Sequence, residues 1–297
     1  MARGVLGHAG YRGGVSIMNT VPFVWVEGSW IPADQIQISS SHRGLRLGDG
    51  IFESLRVHKK QLIHSAAHFQ RLNQGVDTFR LNYDTRPLEG LCYALIEKNN
   101  LTEGLIRIHI SRNDGSSSVI GYRPPAYGSG WCMISGTVAP LPDPHPVRLM
   151  VSSVPLAWRV PCKTTSALPY VMAMMEAMEQ KYDNALMLTP HGIVCEATNA
   201  NIFWIQGDTL YTPAPELPFI PGTVAAMVLK IWSGPIQQGY FTLSDLKDYF
   251  PRAAFFLANV GSIITPIADI EGVVPRQDQF LKVASLRQAV MRALGLQ

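Results

Sequence analysis

A chain of 297 residues that is 47% apolar and only 16% charged can bury a sizeable core and is long enough for two domains of ordinary size. Its formal net charge of +3 is small and dispersed, with no basic block longer than Lys59-Lys60, which argues against a nucleic-acid surface. No apolar run reaches membrane-spanning length, and Cys92, Cys132, Cys162 and Cys195 share no metal-ligand spacing, so a cytoplasmic protein with reduced, buried thiols and no metal is expected.

Residues 1–18 are Gly-rich, lack the apolar core of a signal peptide and are expected to form a flexible tail. F-V-W-V-E-G-S-W-I-P, from Phe23 to Pro32, reads as a hairpin turning at Glu27-Gly28. After a polar loop at 39–42, R-G-L-R-L-G-D-G reads as a glycine-framed turn leading into a strand from Ile51 to Val57. Within that strand Phe52, Ser54 and Arg56 share one face, and Ile51, Glu53, Leu55 and Val57 the other. Helices are expected over 65–79, from the spacing of Phe69, Leu72, Val76 and Phe79, and over 87–97, opened by Pro87. Leu105–Arg112 is the clearest amphipathic strand: Ile106, Ile108 and Ile110 face one way, Arg107, His109 and Ser111 the other. That polar face is either solvated or lines a site. The Gly/Ser-rich loop 113–125 is either disordered or a substrate gate, and a strand follows at 131–134.

Proline-rich 138–146 reads as a linker between a smaller N-terminal α/β domain, 19–137, and a larger C-terminal domain, 147–297. The second half starts with a strand at 148–152 and a helix over 166–182, whose Val171, Met174, Met175 and Met178 read as core filling. Strands are expected at 185–189, 193–196, 201–205, 209–212 and 254–258, and helices from Thr223, over 243–249 and from about 278. A glycine just before the helix at Thr223 leaves free backbone N–H groups for an anion. Strands interleaved with helices argue for an α/β (α+β) fold.

The chemistry concentrates between Cys162 and Phe203. Lys163 follows Pro161 in P-C-K-T-T-S, and Glu196 stands among Val194, Cys195 and Ala197 in an apolar strand setting. A lysine able to form an imine, with a partly buried carboxylate, suits an imine-forming cofactor. Neither decides alone, since a lysine or a strand glutamate is most often a solvated surface charge.

Six pieces in order carry a resemblance: R-G-L-R-L-G-D-G-I-F-E-S-L-R-V, H-F-Q-R-L, K-T-T-S, E-A-T-N-A-N-I-F, P-G-T and A-N-V-G-S-I-I-T-P-I. Together, over roughly Phe23 to Gly272, they resemble the class IV aminotransferases, fold-type IV enzymes that use pyridoxal phosphate and include D-amino-acid and branched-chain aminotransferases and aminodeoxychorismate lyase. The resemblance implies a two-domain fold with the active site between the domains, pyridoxal 5'-phosphate as cofactor, and a homodimer. It makes Lys163, carried by the C-terminal domain, the Schiff-base lysine. Glu196 would face the pyridine nitrogen, and Arg56, Gly222, Thr223, Gly261 and Ser262 would lie where the family holds the cofactor. Trp25, Trp30 and the 113–125 loop are candidate dimer contacts.

Two departures stand out. Val224 and Ala225 occupy the places of a common Thr-Arg pair, and Leu168 stands five residues after the lysine, where branched-chain enzymes often place a Tyr on the ring hydroxyl. Tyr170 is nearby, and that contact is unassigned. Arg107, His109, Arg112 and Arg123 are all candidates for the substrate carboxylate. The expected reaction is ping-pong transfer of an amino group between an amino acid or amine and a 2-oxo acid. A lyase releasing pyruvate and 4-aminobenzoate is the alternative, and an inactive binding relative a remote one.

Overall fold

The computed structural model describes residues 19–113, 121–124, 130–273 and 280–297, so the tail at 1–18 and most of the 113–125 loop lie outside the described residues. In chain order the first half contains β1 (Asn19–Thr20), β2 (Phe23–Val26), β3 (Ser29–Pro32), α1 (Arg43–Leu47), β4 (Gly50–His58), β5 (Gln61–Leu62), α2 (Ser65–Thr78), α3 (Leu88–Lys98), β6 (Glu103–Arg112) and β7 (Gly130–Val138). The rest comprises β8 (Val147–Val151), β9 (Lys163–Thr164), α4 (Leu168–Glu179), β10 (Asn184–Leu188), β11 (Val194–Ala197), β12 (Ala200–Gln206), β13 (Thr209–Pro213), α5 (Thr223–Ile231), β14 (Ile236–Gly239), α6 (Leu243–Tyr249), β15 (Ala254–Asn259), β16 (Ile263–Ile270) and α7 (Phe280–Ala293).

The first sheet has the order β3-β2-β7-β6-β4-β5, with β1 on β7 and β9 on β4. Alternation along β4 decides its two faces. Ile51, Leu55 and Val57 are wholly buried in a core shared with α2, α3 and the isoleucines of β6. Each such side chain contributes roughly 1.5–3 kcal/mol on burial. The opposite face carries Phe52, Ser54 and Arg56 and turns toward the second sheet. Where a glycine-framed turn was expected, a short helix, α1, forms instead; it ends on Gly48 in the left-handed conformation, φ 64°. Trp25, a candidate dimer contact from sequence, is buried at 8% exposure, and Trp30 packs against the same core.

The second sheet runs β11-β10-β8-β16-β15-β12-β13-β14, and an added β11–β12 pairing closes its first six strands into a ring. Parallel pairs (β8 with β10 and with β16, β13 with β14) sit beside antiparallel ones. Helices α5 and α7 cover one side, with Val228, Val283 and Val290 buried against Phe256 and Ile264. On α4 only Met174 of the expected inner stripe packs against the core. Ala173 and Ala177 are the buried residues, while Val171, Met175 and Met178 are each more than half exposed. Two alanines four positions apart let the helix approach β10 closely, so the small residues turn inward and the larger ones remain outside.

Lys163, expected on the C-terminal domain, stands on a strand that joins the first sheet. Its short strand β9 pairs with β4, Lys163 opposite Phe52 and Thr164 opposite Ile51. The reason is local. Thr165 donates to the Gly48 and Gly50 carbonyls at 2.8 and 3.1 Å, and Ser166 to Gly48 at 3.0 Å. A Cβ on Gly48 would lie 2.4 Å from Ser166 Oγ, so this lock needs glycine there.

Candidate active site

Cross-strand register builds the first wall. Lys163, Phe52 and His109 form one row across β9, β4 and β6, with Arg107 and Ser54 in the next. Lys163 Nζ and the Arg107 guanidinium lie 5.5 and 5.4 Å from the Phe52 ring centroid, and His109 stacks on the same ring at 5.8 Å. Burial pulls the Lys163 ammonium below the usual lysine range; Arg71 and Arg107 add to that, and Glu53 and Glu196 oppose it. Burial also lowers His109 to about 4, helped by Arg107, so it is a neutral imidazole at pH 7.

The opposite wall is Glu196. Its strand pairs with β12 so that Glu196 stands across from Asn201. The carboxylate accepts from Tyr170 Oη at 2.9 Å and the Ile220 N–H at 3.1 Å on one oxygen, and from Asn201 Nδ2 at 3.1 Å on the other. Burial raises its pKa to about 7 despite those three donors and the nearby Lys163. Sequence reading singled out neither Asn201 nor Ile220. The usable signal was the hairpin about Thr198-Asn199, which aligns residue 196 with 201. Tyr170 is the group left unassigned, and its hydroxyl is directed at Glu196.

Between the walls lies the start of α5. Gly222 is extended (φ −75°, ψ 137°), and no side chain caps the helix. A Cβ on Gly222 would fall 2.0 Å from Asn201 Oδ1, so only glycine lets the turn close on Asn201. Beside it, Ser262 donates from its backbone N–H and its hydroxyl to Asn259 Oδ1, at 2.8 and 3.0 Å. The next residue, Ile263, is buried with φ 67°, strained backbone for a β-branched side chain. Arg56 is 1% exposed and donates to the carbonyls of Ala139 (2.6 Å), Val260 (3.4 Å) and Gly261 (2.5 Å), joining the first sheet to this turn and to the 138–146 segment.

The four candidate carboxylate clamps separate. Arg107 and His109 face the Lys163 row. Arg112 is committed elsewhere: it pairs with Asp49 at 3.2 Å and donates to the Phe79 and Arg80 carbonyls at 2.6 and 3.0 Å. Arg123 is exposed; its carbonyl, with those of Gly121 and Tyr122, accepts from Arg43.

Comparison with known proteins agrees with this geometry. The family model for amino-transferase class IV matches residues 50–270. A probable branched-chain-amino-acid aminotransferase of Rickettsia typhi is 28% identical over 220 residues, covering 70% of this chain and 74% of its own. Aminodeoxychorismate lyase of Vibrio harveyi is 28% identical over 235 residues, covering 75% and 83%. The Escherichia coli branched-chain amino acid aminotransferase structure superposes with a TM-score of 0.81 at 21% identity, covering 92% of this chain and 95% of its own. The chain belongs to the class IV aminotransferase family. Enzymes of this family use pyridoxal phosphate. The residues fit that group. A half-buried lysine and a buried carboxylate of raised pKa act on each other, and an uncapped helix start, with the glycine its turn requires, adjoins Asn201, the carboxylate's partner.

Proposed function

We propose that the protein is an aminotransferase exchanging an amino group between an amino acid or amine and a 2-oxo acid, with Lys163 as its catalytic residue and pyridoxal phosphate as cofactor. One observation carries the reading. Lys163 from the first sheet and Glu196 from the second lie close enough to act on each other electrostatically, and burial pushes each toward its neutral form. Bound there, pyridoxal phosphate supplies the sink for the electrons of the substrate's Cα–H bond. An ammonium shifted down by burial gives up its proton more readily than an exposed one, so Lys163 is suited to hold the cofactor and to move the Cα proton. Glu196 would face the ring nitrogen, held in place by Tyr170, Asn201 and the Ile220 amide. The phosphate would lie at Gly222 and Thr223 on α5 and at Gly261 and Ser262, with Arg56 behind, two of its five N–H groups already tying the Val260-Gly261 turn and a third Ala139. Arg107 would take the substrate carboxylate as a charge-assisted pair, beside a neutral His109.

The test is an absorbance titration with pyridoxal phosphate, then a panel of D- and L-amino acids, with borohydride reduction and peptide mapping. A pyridoxyl label on Lys163 and spectral change with amino acids support the reading; a label on another lysine overturns it. A lyase is the second reading, favoured by the similarity to the Vibrio harveyi lyase, and release of pyruvate and 4-aminobenzoate from aminodeoxychorismate would establish it. The four free, buried cysteines suit a reducing cytoplasm. A homodimer would cover the outer face of α4, where Leu168, Val171, Met172, Met175 and Met178 are 48–66% exposed; an active monomer in sedimentation would reject that.

A further inference from the structure

Behind the start of α5 lies a buried ionic cluster whose charges act on Lys163 but whose hydrogen bonds lead elsewhere. Glu53, on the core side of β4, is 1% exposed. It accepts from Arg71 at 2.9 and 2.6 Å, from His68 Nδ1 at 3.0 Å and from the Ser54 N–H at 2.8 Å. Burial alone would raise this carboxyl; the bonds from His68 and Arg71 outweigh it and hold the pKa at about 2. Buried ion clusters are seldom the stablest way to fill a core, so this one calls for a role beyond packing. Its remaining bonds point to one place. Arg71 donates to the Pro221 carbonyl at 2.7 Å, and His68 Nε2 lies 3.2 Å from Thr223 Oγ1, on the first residue of α5.

We propose that His68 is a positioning residue for Thr223, anchored from behind by Glu53 and Arg71. The inference rests on the reading of Thr223 as a phosphate contact. A carboxylate only accepts, so Nδ1 carries a proton toward Glu53. That leaves Nε2 as the ring's acceptor for the Thr223 hydroxyl, which fixes the threonine rotamer and with it the first residue of α5 before the ligand arrives. The phosphate end of the pocket is thus preset from the first sheet, across the seam between the two sheets.

The two nitrogens make this testable, because glutamine can place an amide where Nε2 lies and asparagine where Nδ1 lies. Affinity of the cofactor-free protein for pyridoxal phosphate is measured against its affinity for pyridoxal, which lacks the phosphate. His68→Asn keeps the Glu53 bond and loses Thr223, so pyridoxal phosphate should bind about five- to tenfold more weakly while pyridoxal is unaffected. His68→Gln should stay within about twofold of the parent, the size of loss expected when one neutral hydrogen bond is re-made rather than removed. His68→Phe should behave as His68→Asn and serves if the Asn variant does not fold. Adding Thr223→Val to either should cost no more than Thr223→Val alone. The reverse ranking of Gln and Asn, an equal loss for pyridoxal, or additive losses would each overturn the proposal. Inorganic phosphate, read by its rise in melting temperature, should rank the variants the same way. That measurement holds even if the parent takes up no pyridoxal phosphate, so failure of the functional reading is distinguishable from failure of this one.

Discussion

Between pH 4.5 and 6.5 His109, lowered by burial to about 4, adds stability as pH rises, so the opposite loss expected in the cofactor-free protein is read by comparing the parent with a variant of its source, Glu196. Its carboxyl, ordinarily near 4.5, is raised by burial to about 7 in the fold. Between those values the folded chain binds more protons at this site than the unfolded one, so stability is lost as pH rises through 7 and levels off above. At about 1.4 kcal/mol per unit the loss approaches roughly 3 kcal/mol, or about 6–12 °C in melting temperature for a chain of this size. Glu53 acts in the opposite window. Its folded value of about 2 means its contribution is complete above 4.5 and is lost as pH falls toward 2. Glu196→Gln separates the two effects. The amide nitrogen must face a donor, because Asn201 Nδ2 is fixed between Glu196 and the Ile220 carbonyl. The variant should therefore lose about 1–3 kcal/mol at every pH, with no slope between 5 and 8 from this site. Calorimetry of both proteins, cofactor removed, at pH 5, 6, 7 and 8 decides the matter. Equal slopes in parent and variant would refute the reasoning.

Other changes test single elements of the site. Lys163→Ala should abolish turnover without unfolding the chain, as read by activity beside circular dichroism, because β9 stays pinned through Thr165 and Ser166. Arg107→Met should raise the apparent substrate constant by about tenfold and leave the melting temperature near the parent's, whereas Arg112→Met should do the reverse, since Arg112 is spent on Asp49, Phe79 and Arg80. Arg56→Ala should weaken cofactor retention and cost roughly 1–3 kcal/mol of stability together, seen as dialysis loss and a lower urea midpoint, because the buried Ala139 carbonyl and the part-buried ones of Val260 and Gly261 lose their donor. Gly222→Ala should lower both stability and cofactor affinity, since its Cβ would meet Asn201 Oδ1 at 2.0 Å.

What the sequence revealed were features that depend on neighbours close along the chain. Period-two alternation placed Phe52, Ser54 and Arg56 on one face of β4, and Ile106, Ile108 and Ile110 on the buried face of β6, because a strand fixes facing without help from the rest of the fold. Long-range packing was out of reach. The i, i+3, i+4 spacing on α4 identified a helix, but two alanines decided which side went inward, and alanine carries a weak hydropathic signal. Lys163 was placed by its order after the linker, whereas its strand is captured by carbonyls of Gly48 and Gly50 more than a hundred residues earlier. Arg112 and Arg107 look alike in sequence. Only Asp49, brought beside Arg112 by the turn before β4, distinguishes the occupied guanidinium from the one facing the lysine.

The charges assembled at the seam explain why this pocket suits anions. Lys163, Arg71 and Arg107 act on the same space as Glu53 and Glu196. Glu53 is already spent, since Arg71 grips both its oxygens. That leaves a lysine and an arginine against one carboxyl whose burial favours its protonated form. The empty pocket is therefore short of negative charge, and a phosphate dianion or a substrate carboxylate relieves it in a site where burial strengthens the attraction. Burial loosens the proton on Lys163, and the unpaired Arg107 guanidinium adds to that. Arg107 thus contributes both to the attraction for anionic ligands and to the loosening of the lysine's proton. Removing Arg107 should weaken the first and, by making Lys163 easier to protonate, shift the amine's reactivity toward higher pH. Reductive methylation of Lys163 followed across pH 6–10 measures that shift, and an unmoved profile in Arg107→Met would break the link.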